Sequence, residues 1–562
     1  MTDIISYFPV TSIIKEPRPA QTQLFKQTTE LIKSGSKKII VVAPTGVGKG
    51  AYALTIMNWF NSECIPRDEP DYKSMVCSPL NSLVQQYEKS FYEIGLKTLR
   101  GRAHYPCKAH NMTKQCDEGF CQSETCPYED DIQRNRTTKE KEDIDRSKCG
   151  KKPYPQCNGC VCWGCIYREV KRQYMISPIS NTNFTLYSFN IHNNPHLTII
   201  DESEMLEGTI RNDITVIIKE QWGKQVWSDY LLLLNEYYKE LELESLDSKG
   251  KPILKTIRKM NSVHKIIQDY TEHKEEWNVR VMENSVIFEP ITVTRFIEPL
   301  FKDKTVILMS ATPEILPGWD VLEVDSEFPP WSVPWEFKPL GKMTLQKGKY
   351  EGSSRQKTIP KICDFMVGNL EGKTLVHCFS YNTALKIADF LRSNYGVYAL
   401  MQTRENHNIF DDNNNISRYE IINAFKKSKD KNQIALTVNM GRGIDCPEPE
   451  ICNNVIACLP QENPTDSLIK AKIRLMGTSW IDKKKAVDVM QADSRIKRGI
   501  LSYPDVIKAN PSLKWLPNQD GLVIKKGWIL DSNWNNMSCH SWFDNNKRLF
   551  RTWFLNREVK NG

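Results

Sequence analysis

A glycine-rich loop that ends in a lysine, and a pair of adjacent acids further along, are the residues of this chain best suited to chemistry. The loop, APTGVGKG, follows the apolar run IIVV and contains Gly46, Gly48 and Lys49. Glycines allow backbone N–H groups to surround phosphate oxygens, and a lysine at the end of such a loop reaches the terminal phosphates. Asp201 and Glu202 end a second apolar run, TIIDE, and acids there suit Mg²⁺ binding and activation of an attacking water. The two motifs together predict a site that hydrolyses ATP with Mg²⁺.

A cysteine-rich stretch separates the two motifs. Of the 17 cysteines, nine lie between Cys107 and Cys165. This stretch is polar and has little hydrophobic periodicity, so a bound metal is the natural support for its fold. Four thiolates hold an iron–sulfur cluster or a structural zinc. The cysteines that lie within strand and helix patterns are predicted to be ordinary core residues: Cys363, Cys378, Cys446, Cys452 and Cys458.

Length and composition limit the class of protein. The chain has 562 residues, 40% of them hydrophobic, which is enough for several domains with ordinary cores. Its net charge of +8 permits nucleic-acid binding without demonstrating it. The N-terminus lacks the pattern of a signal peptide, and no apolar run approaches the roughly 18 residues of a membrane span. We therefore expect a cytoplasmic protein without a membrane partner, where clustered cysteines bind metals rather than form disulfides.

The elements that must position these residues alternate in two blocks, one before residue 100 and one from about residue 355. Alternating apolar runs and helical patterns predict an α/β fold with parallel sheets. The predicted strands are residues 39–42, 74–77, 306–309, 374–379, 397–401, 434–438 and 454–458. The predicted helices are residues 24–32, 83–91, 386–391 and 421–427, and a helical hairpin is predicted from residues 227–246 and 253–271.

The order of the motifs resembles the XPD/DinG family of superfamily 2 DNA helicases over about residues 16–535. The matching segments are EPRPAQ for the adenine-sensing segment, APTGVGKG for motif I, CSPLNSLVQQ for motif Ia, GRAHYPC for the approach to the iron–sulfur domain, DESE for the DEAH box, SVIFEP and ILMSATP for the run into motif III, TLVHCFSY for motif IV, GRGIDCP for motif V and MQADSRIKRG for motif VI. The resemblance implies two RecA-like motor domains with ATP between them.

The same resemblance implies domain boundaries. The first motor domain would comprise residues 1–100, 166–204 and 301–320. It would carry two insertions, a cysteine-rich iron–sulfur segment at 101–165 and a helical arch at 205–300. Residues 321–562 would form the second motor domain.

Site residues are also implied by the resemblance. The implied catalytic residues are Lys49, Asp201, Glu202, Arg495 and Arg498. The implied ATP contacts are Arg18, Gln21, Pro44, Thr45, Gly46, Val47, Gly48, Lys49, Gly50, Asp445, Arg495 and Arg498. The predicted DNA contacts are Ser78, Arg102, Ser380, Tyr381 and Asn439, with a further basic and aromatic tract around Lys525, Lys526, Trp528 and Trp534.

The metal ligands stay open between two sets. Cys107 resembles the family's first ligand and Cys165 the last. The preferred set for a 4Fe–4S cluster is Cys107, Cys157, Cys160 and Cys165, with Cys162 as a substitute. The alternative combines Cys107 with Cys116, Cys121 and Cys126. A second metal, zinc, could be held by Cys116, Cys121, Cys126 and Cys149.

Several positions depart from the family pattern. Gly50 lacks the hydroxyl that usually binds Mg²⁺, so we expect weaker Mg²⁺ binding than in a typical relative, with Asp201, water and Thr45 as ligands. We expect Ser or Thr at position 50 to strengthen it. Glu204 stands where the family usually has His, which would alter the coupling between ATP and DNA. Arg442 and Ser494 replace a usual Glu and Gly.

The resulting hypothesis is a monomeric 5′→3′ helicase or translocase acting on single-stranded or forked DNA. The alternative is an ATP-binding module that grips DNA and hydrolyses slowly or not at all. The resemblance suggests DNA repair, while replication, a mobile element and a virus stay open.

Overall fold

The computed structural model divides the chain into two compact units. The first comprises Met1–Val42 and Gly48–Glu323, and the second comprises Ala43–Val47 and Val324–Gly562. The residues described are 4–12, 14–44, 47–65, 73–107, 115–116, 166–189, 195–219, 229–246, 254–282, 285–324, 335–346, 349–401, 418–438, 451–460, 466–478, 480–481, 484–485, 487–489, 492 and 526–533.

The first unit contains strands and helices in alternation. Its strands are β1 (Lys38–Val42), β2 (Ser74–Ser78), β3 (Lys97–Leu99), β4 (Ile179–Asn183), β5 (Leu197–Asp201), β6 (Val216–Lys219), β7 (Trp277–Met282), β8 (Ser285–Pro290), β9 (Thr305–Ser310) and β10 (Asp320–Glu323). Its α-helices are α1 (Pro19–Lys33), α2 (Lys49–Glu63), α3 (Asn81–Phe91), α4 (Ile166–Ile176), α5 (Phe184–Phe189), α6 (Leu206–Ile214), α7 (Tyr230–Leu243), α8 (Leu254–Glu272) and α9 (Thr294–Phe301).

The main sheet of this unit is parallel. Its strands lie in the order β10-β1-β9-β5-β2-β4-β3, and every neighbouring pair is parallel. The central strands β1, β5 and β9 are apolar runs that are almost wholly buried, as is usual when helices cover both faces of a sheet. Strands β1, β2 and β9 confirm three predicted strands, and α1 and α3 confirm the predicted helices beside them.

A smaller three-stranded sheet lies in the same unit. It has the order β6-β8-β7 and is antiparallel. Helices α7 and α8 pack with it around a shared core that includes Leu234, Tyr237, Val263, Ile266 and Phe288. The two helices were expected from the sequence at nearly these bounds. The sheet that shares their core was not expected.

The second unit is also built on a parallel sheet. Its strands are β11 (Trp335–Gly341), β12 (Lys373–His377), β13 (Leu400–Met401), β14 (Ile434–Thr437), β15 (Ile451–Ile456) and β16 (Lys526–Asp531). Its helices are α10 (Ser354–Asn369), α11 (Tyr381–Tyr395), α12 (Arg418–Lys427) and α13 (Ser467–Met476). The strand order is β11-β16-β15-β12-β14-β13, and all pairs are parallel. The α/β fold class with parallel sheets is therefore confirmed.

Trp528 lies in the core of the second unit. Its side chain is 8% exposed, and its ring meets the Phe365 ring edge-on with the ring centroids 5.1 Å apart. An aromatic ring used for base stacking must be accessible, so the buried Trp528 ring is better explained as a core residue than as a DNA contact.

The cysteines of the second unit were predicted as core residues. Cys363, Cys378 and Cys458 are buried, which confirms that prediction. Burial raises the pKa of Cys363 and of Cys458 to about 12, so both remain neutral thiols. Cys452 is partly exposed, and Cys446 lies outside the described residues. Among the described helices, none combines the length and apolar character needed to cross a membrane.

The carboxyl group of Asp213, near the end of α6, is expected to lower stability at neutral pH. Its Oδ1 accepts a hydrogen bond from Thr185 Oγ1 at 3.3 Å, whereas its Oδ2 is buried without a hydrogen-bond partner among the described residues. Burial raises the pKa of Asp213 to about 6. The folded state therefore binds the proton more tightly than the unfolded state, and this contribution to stability is lost as pH rises through about 6.

Asp213→Asn should therefore raise the melting temperature by roughly 2 °C above about pH 7, with no gain below about pH 4. Thermal melts at both pH values test this. Asp389→Asn, at an exposed acid, is the matched control. An equal gain at both pH values would show that the charge on Asp213 is not the cause.

Candidate active site

The predicted chemistry converges at one edge of the first parallel sheet. Strands β1, β9 and β5 are neighbours, with Val42 opposite Ser310 and Met309 opposite Asp201. Because the strands are parallel, their carboxyl ends meet at the same edge, which is where open α/β sheets bind ligands. The loop after β1, Ser310 at the end of β9 and Asp201 at the end of β5 therefore lie together.

The phosphate loop leads directly into α2. Gly48 has φ +85°, and a Cβ there would collide with the side-chain amide of Gln21. Gln21 Nε2 donates to the Gly48 carbonyl at 2.9 Å, and its Oε1 accepts from the Arg18 N–H at 2.8 Å. Gln21 thus holds the loop against the start of α1. The first N–H groups of α2 favour an anion at this helix terminus. Thr45 and Gly46 lie outside the described residues.

Two buried acids face the lysine of the loop. Lys49 Nζ is 3.4 Å from Glu202 Oε1, and the two side chains are 10% and 9% exposed. Asp201 Oδ1 accepts the backbone N–H of Glu202 at 2.9 Å. Burial raises the pKa of Asp201 to about 6, with Lys49 opposing the shift and Glu202 adding to it. Glu202 has φ 51°, a left-handed conformation that is uncommon outside glycine and concentrates at functional sites.

A cavity of about 260 Å³ lies beside the loop. Its wall includes Arg18, Gln21, Gly48, Gly50 and Asp201, so it joins residues that the sequence assigned to ATP. A larger cleft of about 700 Å³ lies elsewhere in the unit. Lys97 is the charged residue among its described lining. That cleft is the weaker candidate, because it lacks the converging acids and phosphate loop of a catalytic site.

Glu204 is linked to the segment after β9. Ser310 Oγ donates to Glu204 Oε2 at 2.5 Å and accepts the backbone N–H of Thr312 at 3.0 Å. Glu204 stands where the XPD/DinG pattern usually has histidine. It therefore contacts the SATP segment through a charged hydrogen bond, which is stronger than a neutral one.

Two cysteines of the insertion are described, and both are buried. Cys107 is 3% exposed and Cys116 is 0% exposed. An antiparallel bridge pairs Pro106 with Gln115, and the Cys116 N–H donates to the Tyr105 carbonyl at 2.8 Å. Tyr105 is therefore opposite Cys116, and Cys107 occupies the diagonal position on the same face of this bridge. The remaining candidate ligands lie outside the described residues: Cys121, Cys126, Cys149, Cys157, Cys160, Cys162 and Cys165.

Two family models match segments of the chain. The sequence model of the helicase C-terminal domain family matches residues 365–500. The model of the type III restriction enzyme res subunit family matches residues 14–148. Each model covers about a quarter of the chain, and together the two matches support an enzyme of the ATP-dependent helicase class.

Solved XPD structures share the fold of this helicase. The structure of Xpd4 from S. tokodaii aligns with a TM-score of 0.51 and 15% identity, covering 95% of this chain and 99% of that one. A structure described as an XPD helicase aligns with a TM-score of 0.54 and 12% identity, covering 95% and 99% of the two chains. The two parallel sheets are therefore those of two RecA-like domains. No curated protein matches the sequence.

Breaking the link between Glu204 and Ser310 should impair strand separation by the helicase more than ATP turnover. Glu204→Gln and Ser310→Ala should each slow unwinding about tenfold, in line with the roughly 1.5 kcal/mol of one charged hydrogen bond. The double variant should lose no more than either single variant. Unwinding and phosphate release, measured side by side, test this, with Glu314→Gln at a nearby exposed acid as control. Additive losses would show that the two residues act separately.

The predicted DNA contacts of the helicase differ in accessibility. Ser78 ends β2 with 0% exposure, and its contact with DNA stays a prediction. The Arg102 guanidinium lies 5.3 Å from the Tyr167 ring centroid. Ser380 is the N-cap of α11, where its hydroxyl accepts the Thr383 N–H at 3.4 Å, and Tyr381 begins that helix. Asn439 lies outside the described residues, as do Asp445, Arg495 and Arg498 of the predicted ATP site.

Two residues that contact acids of the site, Ser310 and Tyr87, were not predicted. Ser310 lies in the segment ILMSATP, so its motif offered a signal. Tyr87 on α3 donates to Asp201 Oδ2 at 3.0 Å. Its sequence signal was its spacing from Leu83 and Phe91 on one helix face, which indicates only a buried position.

Proposed function

We propose that the helicase hydrolyses ATP to move 5′→3′ along single-stranded DNA and to open forked duplexes. The observation that carries this proposal is the meeting of Lys49, Asp201 and Glu202 beside the phosphate loop. Polarity and the preference for DNA rest on the order of the family motifs. The same motifs favour a monomeric motor in the cytoplasm that acts in DNA repair.

The residues at the loop fit an Mg²⁺–nucleotide complex. Mg²⁺ prefers oxygen ligands and binds through one or two carboxylates plus phosphates, and two buried carboxylates stand beside a cation here. Asp201 would hold the metal, and bound Mg²⁺ would neutralise charge on the phosphates. The Lys49 ammonium group would exchange its ion pair with Glu202 for contacts with the terminal phosphates. Glu202, freed from that ion pair, would orient the attacking water. Arg495 and Arg498 would stabilise the charge that develops on the phosphoryl group.

We also propose a 4Fe–4S cluster in the insertion, with Cys107 as one ligand. The buried thiols of Cys107 and Cys116 on one face favour the alternative set, in which Cys116, Cys121 and Cys126 complete the four ligands. The other candidate set for the cluster is Cys107, Cys157, Cys160 and Cys165, with Cys162 as a substitute. In that case Cys116, Cys121, Cys126 and Cys149 would hold a second metal, zinc. Protein purified without oxygen should show a broad visible absorption band, whereas zinc thiolates are colourless.

An ATP-binding module with slow hydrolysis is the second candidate, and Gly50 is the observation that favours it. Multiple-turnover phosphate release, with and without single-stranded DNA, separates the two. We expect turnover that DNA stimulates. Forks that carry only a 5′ or only a 3′ single-stranded tail test the polarity. Nucleotide binding without repeated turnover would favour the binding module.

A further inference from the structure

Aromatic side chains of α3 occupy the space next to Gly50. A Cβ at position 50 would lie 3.2 Å from Phe91 Cε2 and 3.5 Å from Tyr87 Cε1. The Tyr87 and Phe91 rings are both buried, with their centroids 5.9 Å apart. A contact of 3.2 Å to a buried ring requires the ring to move, and packed interiors resist such movement. The glycine therefore makes room for these two rings, and Ser or Thr at position 50 would displace Phe91.

The hydroxyl group of Tyr87 contacts Asp201, the acid beside the phosphate loop. Tyr87 Oη donates to Asp201 Oδ2 at 3.0 Å, and the Glu202 N–H binds Asp201 Oδ1 at 2.9 Å. Both oxygens of this carboxylate are thus held by hydrogen bonds. Tyr87 and Asp201 are 4% and 5% exposed, so little water competes for the contact. Tyr87, Gly50 and Asp201 all line the cavity beside the phosphate loop.

We infer that Tyr87 is a positioning residue for the metal–nucleotide site, whose hydroxyl holds the Asp201 carboxylate in the orientation that binds Mg²⁺. This inference rests on the proposed nucleotide site. It assigns a supporting role to α3, because position 50 offers no hydroxyl and Tyr87 brings one to Asp201. Hydrogen-bond partners of metal ligands fix ligand orientation, and their loss typically weakens metal binding about 10- to 100-fold.

Tyr87→Phe tests the inference, because it removes the hydroxyl and keeps the ring that packs on Phe91. Binding of N-methylanthraniloyl-ADP is titrated against Mg²⁺, and Mn²⁺ binding to the protein–ADP complex is followed by electron paramagnetic resonance. We expect the variant to need about 10- to 100-fold more metal for half-saturation. Its affinity for the nucleotide without metal should equal that of the parent protein. Tyr92→Phe, at a neighbouring tyrosine that is 66% exposed, is the matched control.

The outcomes are distinguishable. Equal metal midpoints in Tyr87→Phe and the parent protein would overturn the inference. A loss of metal-free nucleotide affinity would also overturn it, because the hydroxyl would then support the loop and not the metal ligand. If the parent protein and Lys49→Ala bound the nucleotide equally well, the proposed nucleotide site itself would be wrong. A thermal melt of each variant identifies any that fails to fold.

Discussion

Replacing Lys49 with alanine should lower ATP turnover by about 100-fold or more while the protein stays folded. Lys49 begins α2, and its Nζ lies 3.4 Å from Glu202 at the edge of the sheet where the loop and the acids meet. A fixed cation at a site that excludes water stabilises the charge that develops during phosphoryl transfer, and losing one such group commonly costs 10² or more in rate. The side chain lies at a helix start and outside the apolar core, so its removal should leave the fold intact. Steady-state phosphate release with saturating single-stranded DNA measures the effect.

The matched control for this variant is Lys26→Ala, which removes an exposed lysine from α1. Thermal melts establish that both variants fold. Turnover by folded Lys49→Ala equal to that of Lys26→Ala would show that the phosphate loop has been assigned wrongly. A lower rate that saturating ATP fully restores would indicate that Lys49 contributes binding alone and not stabilisation of the transition state.

The central strands were predictable because the property that identifies them, a continuous run of apolar residues, is visible in the local sequence. Strands β1, β5 and β9 are continuous apolar runs, which a buried parallel sheet requires. Strand β4 gave no such signal, since its sequence is ISNTN. Its polar side chains are buried and hydrogen-bonded: Asn181 Nδ2 donates to the Val84 carbonyl at 2.9 Å, and Thr182 Oγ1 to the Leu99 carbonyl at 2.9 Å. These partners are remote in sequence, so periodicity could not reveal the strand.

The active site shows the same division between local and long-range causes. The sequence predicts the glycines, Lys49 and the two acids as site residues, because phosphate and Mg²⁺ chemistry restricts which residue types can serve. The contact between Tyr87 and Asp201 joins residues 114 positions apart. It depends on how α3 packs beside α2, which no local pattern specifies. The absence of a hydroxyl at Gly50 suggested a defect in Mg²⁺ binding. The structure instead places the rings of Tyr87 and Phe91 in the space that a side chain at position 50 would occupy.

The sequence predicts a metal site in the cysteine insertion but does not choose its ligands. Nine cysteines offer several sets of four, and spacing alone does not choose among them. The antiparallel bridge between Pro106 and Gln115 is a backbone contact that brings Cys107 and Cys116 to one face. That placement raises Cys116 from an alternate to a leading candidate for the second ligand.

Cys107→Ser and Cys116→Ser should each remove the metal and abolish strand separation, while part of the DNA-stimulated ATPase activity remains. A serine hydroxyl is a poor substitute for a thiolate, and a segment with little apolar core loses its fold with its metal. Both cysteines follow β3, outside helix α2 and strand β5, which carry Lys49 and Asp201, so the sheet and its catalytic edge can form without the proposed cluster. Iron and zinc analysis, visible absorption, ATPase and fork unwinding are measured on the same preparations.

Cys64→Ser, at an exposed cysteine on the first unit, is the control and should keep full metal content and unwinding. A Cys116→Ser protein with unchanged metal would return the second ligand to the set of Cys157, Cys160 and Cys165. Unchanged metal in both variants would show that neither thiol binds it. Full unwinding by a metal-free variant would show that strand separation does not require the cluster. Loss of ATPase activity together with the metal would show instead that the insertion supports the catalytic sheet. ATP hydrolysis would then fail even without a duplex to unwind.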